Sequence, residues 1–324
     1  MAPVTRRRTV GQISGESIVI EAAWMYYHDG LNQNEIAKNL QVSRATVVNY
    51  LQEARERGYI RISLAPEVFT SHQLAQELRE QFNLQAAYVV PDGVGDGDKS
   101  LLRVARGAAE WLPNLLNPGD RLGVAWGRTV YEVAEAIAKT KIRDVTVSQL
   151  VGSMATPYGF TAEICSARLA QNLGAKCINL HAPAVLSDPE LAARLRDEPI
   201  IRAQLESLGQ CNKAIFAAGS CGPDSHVVSS GVASKRDLDW YIKQGATGVL
   251  CGRFINAQGA PIPGELDDRM IGVTLDELQG LTVGLLVSEG RDKIIPMLSA
   301  IAGGYVTHLV TSNASARQML AAKG

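Results

Sequence analysis

From Glu16 to Asp29 the apolar positions Val19, Ala22, Ala23, Tyr26 and Tyr27 return at helical spacing and Gly30 follows as a stop, so the first predicted element is an amphipathic helix. Asn32 stands three residues ahead of Glu35, the spacing of a capping box, and opens a short helix over Gln33 to Leu40. Gln41-Val42-Ser43 reads as a turn, with Val42 as its buried plug and Ser43 as N-cap of a third helix from Arg44 to Arg57, stopped by Gly58. That helix turns Val47, Leu51 and Ala54 toward Ile36, Ala37 and Leu40 of the second, leaving Arg44, Ala45, Thr46, Val48 and Asn49 outward at its N-terminal end. "YIRISL" then alternates apolar and polar residues as a short strand with Arg61 exposed, which suggests a small wing or hairpin.

A short capped helix, a tight turn, a long helix with a polar start and a basic wing make a winged helix-turn-helix, a module that reads double-stranded DNA. A helical hairpin serving as an interaction domain is the plainer alternative. In the DNA reading Arg44 reaches a guanine edge or a phosphate, Asn49 pairs with adenine, and Thr46 or Val48 meets a thymine methyl. Gln33 and Arg61 hold the backbone, and Ser43 and Ala45 complete the candidate face.

Past Pro66, "SHQLAQELREQF" sets Leu74, Leu78 and Phe82 on one helical face, either a core stripe or a linker helix that pairs with a partner subunit. Strands are then expected near Ala86 to Val90, Arg121 to Ala125, Val145 to Leu150, Lys176 to Leu180, Ala214 to Ala218, Gly248 to Phe254, Val283 to Val287 and Thr307 to Val310. Helices are expected over Leu101 to Leu116, Val130 to Lys139, Thr161 to Leu173 and Lys293 to Ile301. Alternation of this kind predicts an α/β domain with a mainly parallel, doubly wound sheet.

Charge sharpens the division. Residues 1 to 65 carry eight Lys/Arg against six Asp/Glu, and residues 66 to 324 carry 24 against 27, so a mildly basic front precedes a mildly acidic body. With a net charge of -1 no global field draws the chain to nucleic acid, and a module this weakly basic needs two or more copies to bind well. The arm Met1 to Gly15, with Arg6-Arg7-Arg8, has no periodicity and reads as a loose tail. Five irregularly spaced cysteines without a C-x-x-C pair read as reduced core residues. No apolar run reaches a membrane span and the arm lacks the apolar centre of a signal peptide, so a soluble, cytoplasmic protein is expected.

In a doubly wound sheet ligands sit beyond the carboxyl ends of the strands. The loops there are "WGRT" (126–129), "VGSM" (151–154), "HAPA" (181–184), "GSCG" (219–222) and "SEGRDK" (288–293), several of them small or glycine-containing and opening into a helix. Glycine at such a turn lets an anion approach helix N-terminal amides, Thr129 adds a hydroxyl, and Lys293, one turn into its own helix, adds a charge. Catalysis has little support: there is no G-x-S-x-G elbow, Walker loop or zinc-ligand cluster, and His181 and Glu289 have no visible partners. His181 reads as a pocket wall or a hydrogen-bonded structural residue. No cofactor or metal is implied.

The segment "AAWMYYHDGLNQNEIAKNLQVSRATVVNYLQEARERGYIRISL", then "LGVAWGRTVYEVAEAI", "VSQLVGSM", "GVLCGRFINAQGAPI" and "VSEGRDKIIPMLSAIAGGYVTHLVTSNASARQML", in this order, resemble the SorC (SorC/DeoR-type) family of bacterial sugar-binding transcriptional regulators. The resemblance implies an effector domain similar in fold to sugar-phosphate isomerases, a tetramer, and a sugar, polyol or sugar phosphate that alters the grip on a palindromic operator. By position it implies a phosphate-binding turn at Gly127, Arg128 and Thr129, a pocket wall of Gln149, Gly152 and Ser153, side chains of Thr161 and Glu163 directed to the ligand, and an anion contact at Lys293.

Three positions depart from the family pattern. Val151 stands where some members carry Lys or Arg, Val249 where many have an acid in a "GDICGRF"-like segment, and Asn49 where Arg is common. The expected organisation is a flexible basic arm over 1–15, a winged helix-turn-helix over 16–65, a linker helix over 66–84 and a sugar-sensing, oligomerising domain over 85–324. The competing functions are a sugar-phosphate isomerase or deaminase with an appended helical domain, and a scaffold that does not bind DNA.

Overall fold

We describe a computed structural model of the chain, covering residues 15–60, 62, 64–93, 97–154 and 159–323. Its contacts divide the chain into two units, with the division between Leu64 and Ala65. Except for Gly15, the expected arm lies outside the described residues.

The first unit is three helices, α1 (Gly15–Tyr27), α2 (Gln33–Leu40) and α3 (Arg44–Glu56), closed over Val19, Ala22, Ile36, Val47, Leu51 and Ala54. Both α2 and α3 begin where a side chain satisfies orphan amides. Asn32 Oδ1 accepts from the Asn34 and Glu35 amides while Glu35 Oε2 accepts from the Asn32 amide at 2.7 Å, and Ser43 Oγ accepts from the Thr46 amide at 3.0 Å. Gln41 ends α2 in a left-handed conformation, φ 53°, which turns the chain sharply into α3.

The strand expected over 59–64 is not formed among the described residues. Arg61 and Ser63 fall outside them, and Tyr59, Ile60, Ile62 and Leu64 enter no ladder. An alternating stretch becomes a strand only beside a second strand that takes its backbone groups, and the described part of this unit offers none.

The second unit begins with α4 (Pro66–Thr70) and α5 (Gln73–Phe82), followed by β1 (Ala86–Val90), α6 (Gly97–Trp111), β2 (Arg121–Val124), α7 (Arg128–Ala136), β3 (Thr146–Gln149), α8 (Ala162–Leu173) and β4 (Lys176–Ile178). Four helices, α9 (Pro189–Asp197), α10 (Pro199–Leu208), α11 (His226–Ser229) and α12 (Lys235–Lys243), surround β5 (Lys213–Phe216) in the chain. Then come β6 (Gly248–Leu250), β7 (Arg253–Ile255), α13 (Glu265–Arg269), β8 (Val283–Val287), α14 (Ile294–Ala302), β9 (His308–Ser312) and α15 (Asn313–Lys323). Seven strands form one parallel sheet in the order β1-β9-β8-β5-β2-β3-β4.

Successive residues of a strand point to opposite faces, and here they feed two separate cores. Ala87, Val89, Ala214, Phe216, Leu286 and Leu309 join one, with Leu78 of α5, Leu238 of α12, Met297 of α14 and Met319 of α15. Tyr88, Val90, Ile215, Leu285, Val287 and Val310 join the other, with Ala108 of α6, Val133 of α7 and Leu169 of α8. A strand covered on both faces takes apolar residues at consecutive positions, which is why β1 and β8 read as continuous runs. The stripe at Leu78 and Phe82 is therefore core of this unit, with Leu74 packed at its edge.

The segment Gly248 to Phe254, expected as one strand, is a two-stranded antiparallel hairpin, β6 and β7. Its turn is Cys251-Gly252, with φ of 50° and 84°, the positive pair that a two-residue hairpin turn requires. Lys293, expected one turn inside its helix, closes the 3-10 turn Arg291–Lys293 ahead of α14. All five cysteines are free thiols; Cys177 is exposed, so it is not a core residue.

An ion pair is buried at the opposite end of the strands from those loops. Lys213 Nζ lies 2.6 Å from Asp120 Oδ2, with side chains 5% and 9% exposed, and also donates to the Leu115 carbonyl. Burial pushes the Asp120 carboxyl up, but hydrogen bonds from Lys213, the Asn117 amide and Asn212 outweigh it and hold the group below its ordinary value. Lys213→Ala strands a buried carboxylate and is expected to cost about 3–5 kcal/mol in urea unfolding at neutral pH. A depressed carboxyl contributes stability above the ordinary carboxylate range and loses it as pH falls through the depressed value, so the gap between variant and wild type is expected to narrow in acid.

Candidate DNA-reading face and effector cavity

The outward side of α3 carries Arg44, Ala45, Val48 and Asn49, all exposed. The other candidate residues are partly committed to the fold. Ser43 Oγ and Thr46 Oγ1 hydrogen-bond to each other at 2.8 Å, and Gln33 Oε1 accepts from Arg44 Nε at 3.1 Å. The second bond fixes α2 against the start of α3 and aims the guanidinium. Gln52 extends the exposed face by one turn, though its amide donates to Glu56 Oε1 at 2.8 Å. Arg61 lies outside the described residues.

In the second unit the order of the sheet reverses between β2 and β5: the chain leaves β2 for β3 on one side, and β8 follows β5 on the other. The connecting helices then leave in opposite directions and open a crevice at the carboxyl ends. A cavity of about 180 Å³ lies there. Ala125 to Thr129 after β2, Ala217 to Gly219 after β5, and Lys293 after β8 line it. Leu101 of α6, His226 and Val227 of α11, and Val249, Cys251 and Gly252 of the hairpin complete the wall. The hairpin is anchored there by a bridge in which Gly219 and Val249 exchange backbone hydrogen bonds of 2.8 and 3.0 Å.

Gly127 precedes α7 with φ 113° and ψ 168°, a conformation for glycine, and no side chain caps the helix. The Gly127 amide is spent on the Phe160 carbonyl at 3.3 Å. The amides of the first turn of α7 thus face the crevice end as the free positive terminus of a helix. Arg128 reaches Asp98 Oδ1 at 2.8 Å in a solvent-exposed pair that an anion can compete for. Lys293 Nζ donates to Ser220 Oγ at 3.1 Å and lies 3.1 Å from Asp292 Oδ2. No Asp or Glu is among the described lining residues.

Two further wall groups are neutral at pH 7. Burial, and then Lys293, lower the His226 imidazole from its ordinary value, and burial pushes the Cys251 thiol up to about 12. The His226 and Trp126 rings meet at 5.0 Å between centroids.

Gly127, Arg128, Thr129 and Lys293 are thus brought together, while the other expected residues do not line this cavity. Gln149 is buried, donating to the Val151 carbonyl at 2.8 Å and accepting from the Leu180 amide at 3.2 Å. A Cβ on Gly152 would lie 2.6 Å from the Pro183 carbonyl, and Ser153 exchanges backbone bonds with Ala182 and Ala184. The "VGSM" and "HAPA" loops are therefore stitched to each other. Thr161 caps α8, and Glu163 keeps a buried Oε2 without a hydrogen-bond partner. His181 is exposed, and Glu289 accepts from Ser100 Oγ at 2.9 Å, its carboxyl raised by burial.

The chain's likeness to known proteins follows the same division. A family model described as "Putative sugar-binding domain" matches residues 66–321. A second, described as "Putative ATPase subunit of terminase (gpP-like)", matches residues 18–65 only. The uncharacterized transcriptional regulator YjhU of Escherichia coli K12 is 36% identical over 321 residues, covering 98% of this chain and 98% of its own. The transcriptional regulator LsrR of Klebsiella pneumoniae is 30% identical, covering 95% of this chain and 94% of its own. The crystal structure of the full-length sorbitol operon regulator SorC from Klebsiella pneumoniae has the same fold, with a TM-score of 0.77 and 21% identity over 95% of this chain and 99% of that one. With a sugar-binding model spanning its larger unit and regulators as relatives along its whole length, the chain belongs to the SorC (SorC/DeoR-type) family of sugar-binding transcriptional regulators.

Proposed function

We propose that the chain is a DNA-binding regulator of carbohydrate metabolism whose grip on an operator is modulated by a sugar, polyol or sugar phosphate bound in the switch-point cavity. The observation that carries this reading is that cavity itself: an uncapped helix terminus and Lys293 converge on a mostly apolar crevice whose described wall has no carboxylate. Such a wall suits an anion. Gly127, Arg128, Thr129 and Lys293 are the anion contacts in this proposal. Gln149, Gly152, Ser153, Thr161 and Glu163 act from behind, as the supports of the loops around it.

On the DNA side, Arg44, Ala45, Val48 and Asn49 meet base edges, while Gln33, Ser43, Thr46 and Arg61 position the helix or touch phosphate. A face this sparsely charged suits a homo-oligomer, a tetramer in this reading, on a palindromic operator, where several copies bind at once. The module is residues 16–65 behind the arm 1–15, with 66–84 leading into the sensor 85–324. Its place is the cytoplasm, and no described helix is long and apolar enough to cross a membrane.

Two sets of variants separate the two sites. With an operator selected from random DNA by the full chain, Arg44→Ala and Asn49→Ala are each expected to weaken binding about tenfold to a hundredfold in fluorescence anisotropy, with melting temperature unchanged. Thr129→Ala and Lys293→Ala are expected to lose the thermal shift given by the stabilising member of a panel of sugars, polyols and their phosphates, while operator affinity stays within about twofold of wild type. Normal thermal responses in both variants would remove the cavity from the proposal.

A further inference from the structure

His226 is the wall residue whose chemistry is left unused. Its Nε2 is buried without a hydrogen-bond partner, whereas other such atoms, including Glu163 Oε2 and Thr311 Oγ1, belong to residues outside the cavity lining. Buried polar atoms in folded proteins are nearly always paired, and one that meets no protein partner in a cavity wall is available to a ligand's hydrogen-bonding group. The residue opens the short helix α11, in the chain between the loop after β5 and the hairpin, and its ring packs on Trp126 of the β2 loop. It therefore borders the same space as the α7 terminus and Lys293, which supply the positive charge.

We propose that His226 is a specificity-determining residue of the effector site, whose ring nitrogen hydrogen-bonds a hydroxyl or carbonyl oxygen on the carbohydrate part of a phosphorylated sugar or polyol. The inference rests on the effector reading above and adds to it the group that tells such a ligand from bare phosphate. Two features of the wall support it. Trp126, with Val227 and Val249, gives the C–H faces of a sugar an apolar surface, so the oxygens must be met by a few polar atoms. The described wall has no carboxylate to accept from hydroxyls, which leaves the His226 imidazole and the Thr129 hydroxyl as side chains able to donate or accept there. Its neutrality near pH 7, imposed by burial and by Lys293, keeps both roles open through the choice of tautomer.

The test measures thermal shift and affinity for the full chain with inorganic phosphate and with a panel of hexose, pentose and hexitol monophosphates. In the wild type at least one sugar or polyol phosphate is expected to bind more tightly than inorganic phosphate. His226→Phe keeps a flat ring against Trp126 and removes the nitrogen; it is expected to weaken that ligand about tenfold and to leave the response to inorganic phosphate. The ligand-free melting temperature should not fall, since the variant removes an unpaired polar atom. His226→Gln, which returns an amide near the position of Nε2, should recover part of the lost affinity, and His226→Leu repeats the test if the Phe variant misfolds. Full retention of the wild-type preference in the nitrogen-free variants overturns the assignment of His226 alone. A wild type that binds no sugar or polyol phosphate better than inorganic phosphate overturns the effector reading, and this inference with it.

Discussion

The reversal of winding between β2 and β5 is the constraint on which the larger unit depends. Because both strands are central and parallel, the chain that leaves them must go to opposite sides and cross on opposite faces. Helices α7 and α8 cover one face and α12 and α14 the other, which is why alternate residues of single strands belong to different cores. The same reversal leaves their carboxyl ends without a covering crossover. Into that gap come the terminus of α7, the loop after β5 and Lys293, while the hairpin β6–β7, hung on Gly219, forms a side wall.

The helical unit is organised by local devices instead. Asn32 and Ser43 satisfy the starts of α2 and α3, and the left-handed Gln41 sets the turn between them. These devices draw on the residues expected to touch DNA. Ser43 and Thr46 share a hydrogen bond, and Arg44 is steered by Gln33. In the proposed function the side chains left free for bases are small or neutral apart from Arg44, so binding strength would come from repetition of the module more than from its own field.

Much of this was legible in the sequence, and the exceptions have physical causes. The strand runs at Ala86 to Val90 and Val283 to Val287 have the ends expected of them, because burial on both faces makes such strands continuous apolar runs. Capped helices were legible from Asn32 and Ser43. The hairpin was not, since β6 and β7 have three residues each and their turn depends on a positive φ at Cys251, a residue type that gives no turn signal. The wing depended on a partner strand that alternation cannot reveal. In the cavity, the rule of looking just after each strand finds "WGRT", Gly219 of "GSCG" and Lys293. It also selects "VGSM" and "HAPA", whose backbones pair with each other, and it passes over His226, which sits ten residues beyond the end of β5.

In the proposed function one ligand-dependent equilibrium joins the cavity to the reading face. Linkage requires that a ligand which changes operator affinity by some factor have its own affinity changed by the operator by that same factor. The most direct measurement is therefore a paired titration of the full chain: operator affinity with and without a saturating sugar or polyol phosphate, and affinity for that ligand with and without operator. A change in operator affinity of about fivefold or more is expected, matched within error by the reciprocal change. An operator affinity that does not move at saturating ligand would contradict it.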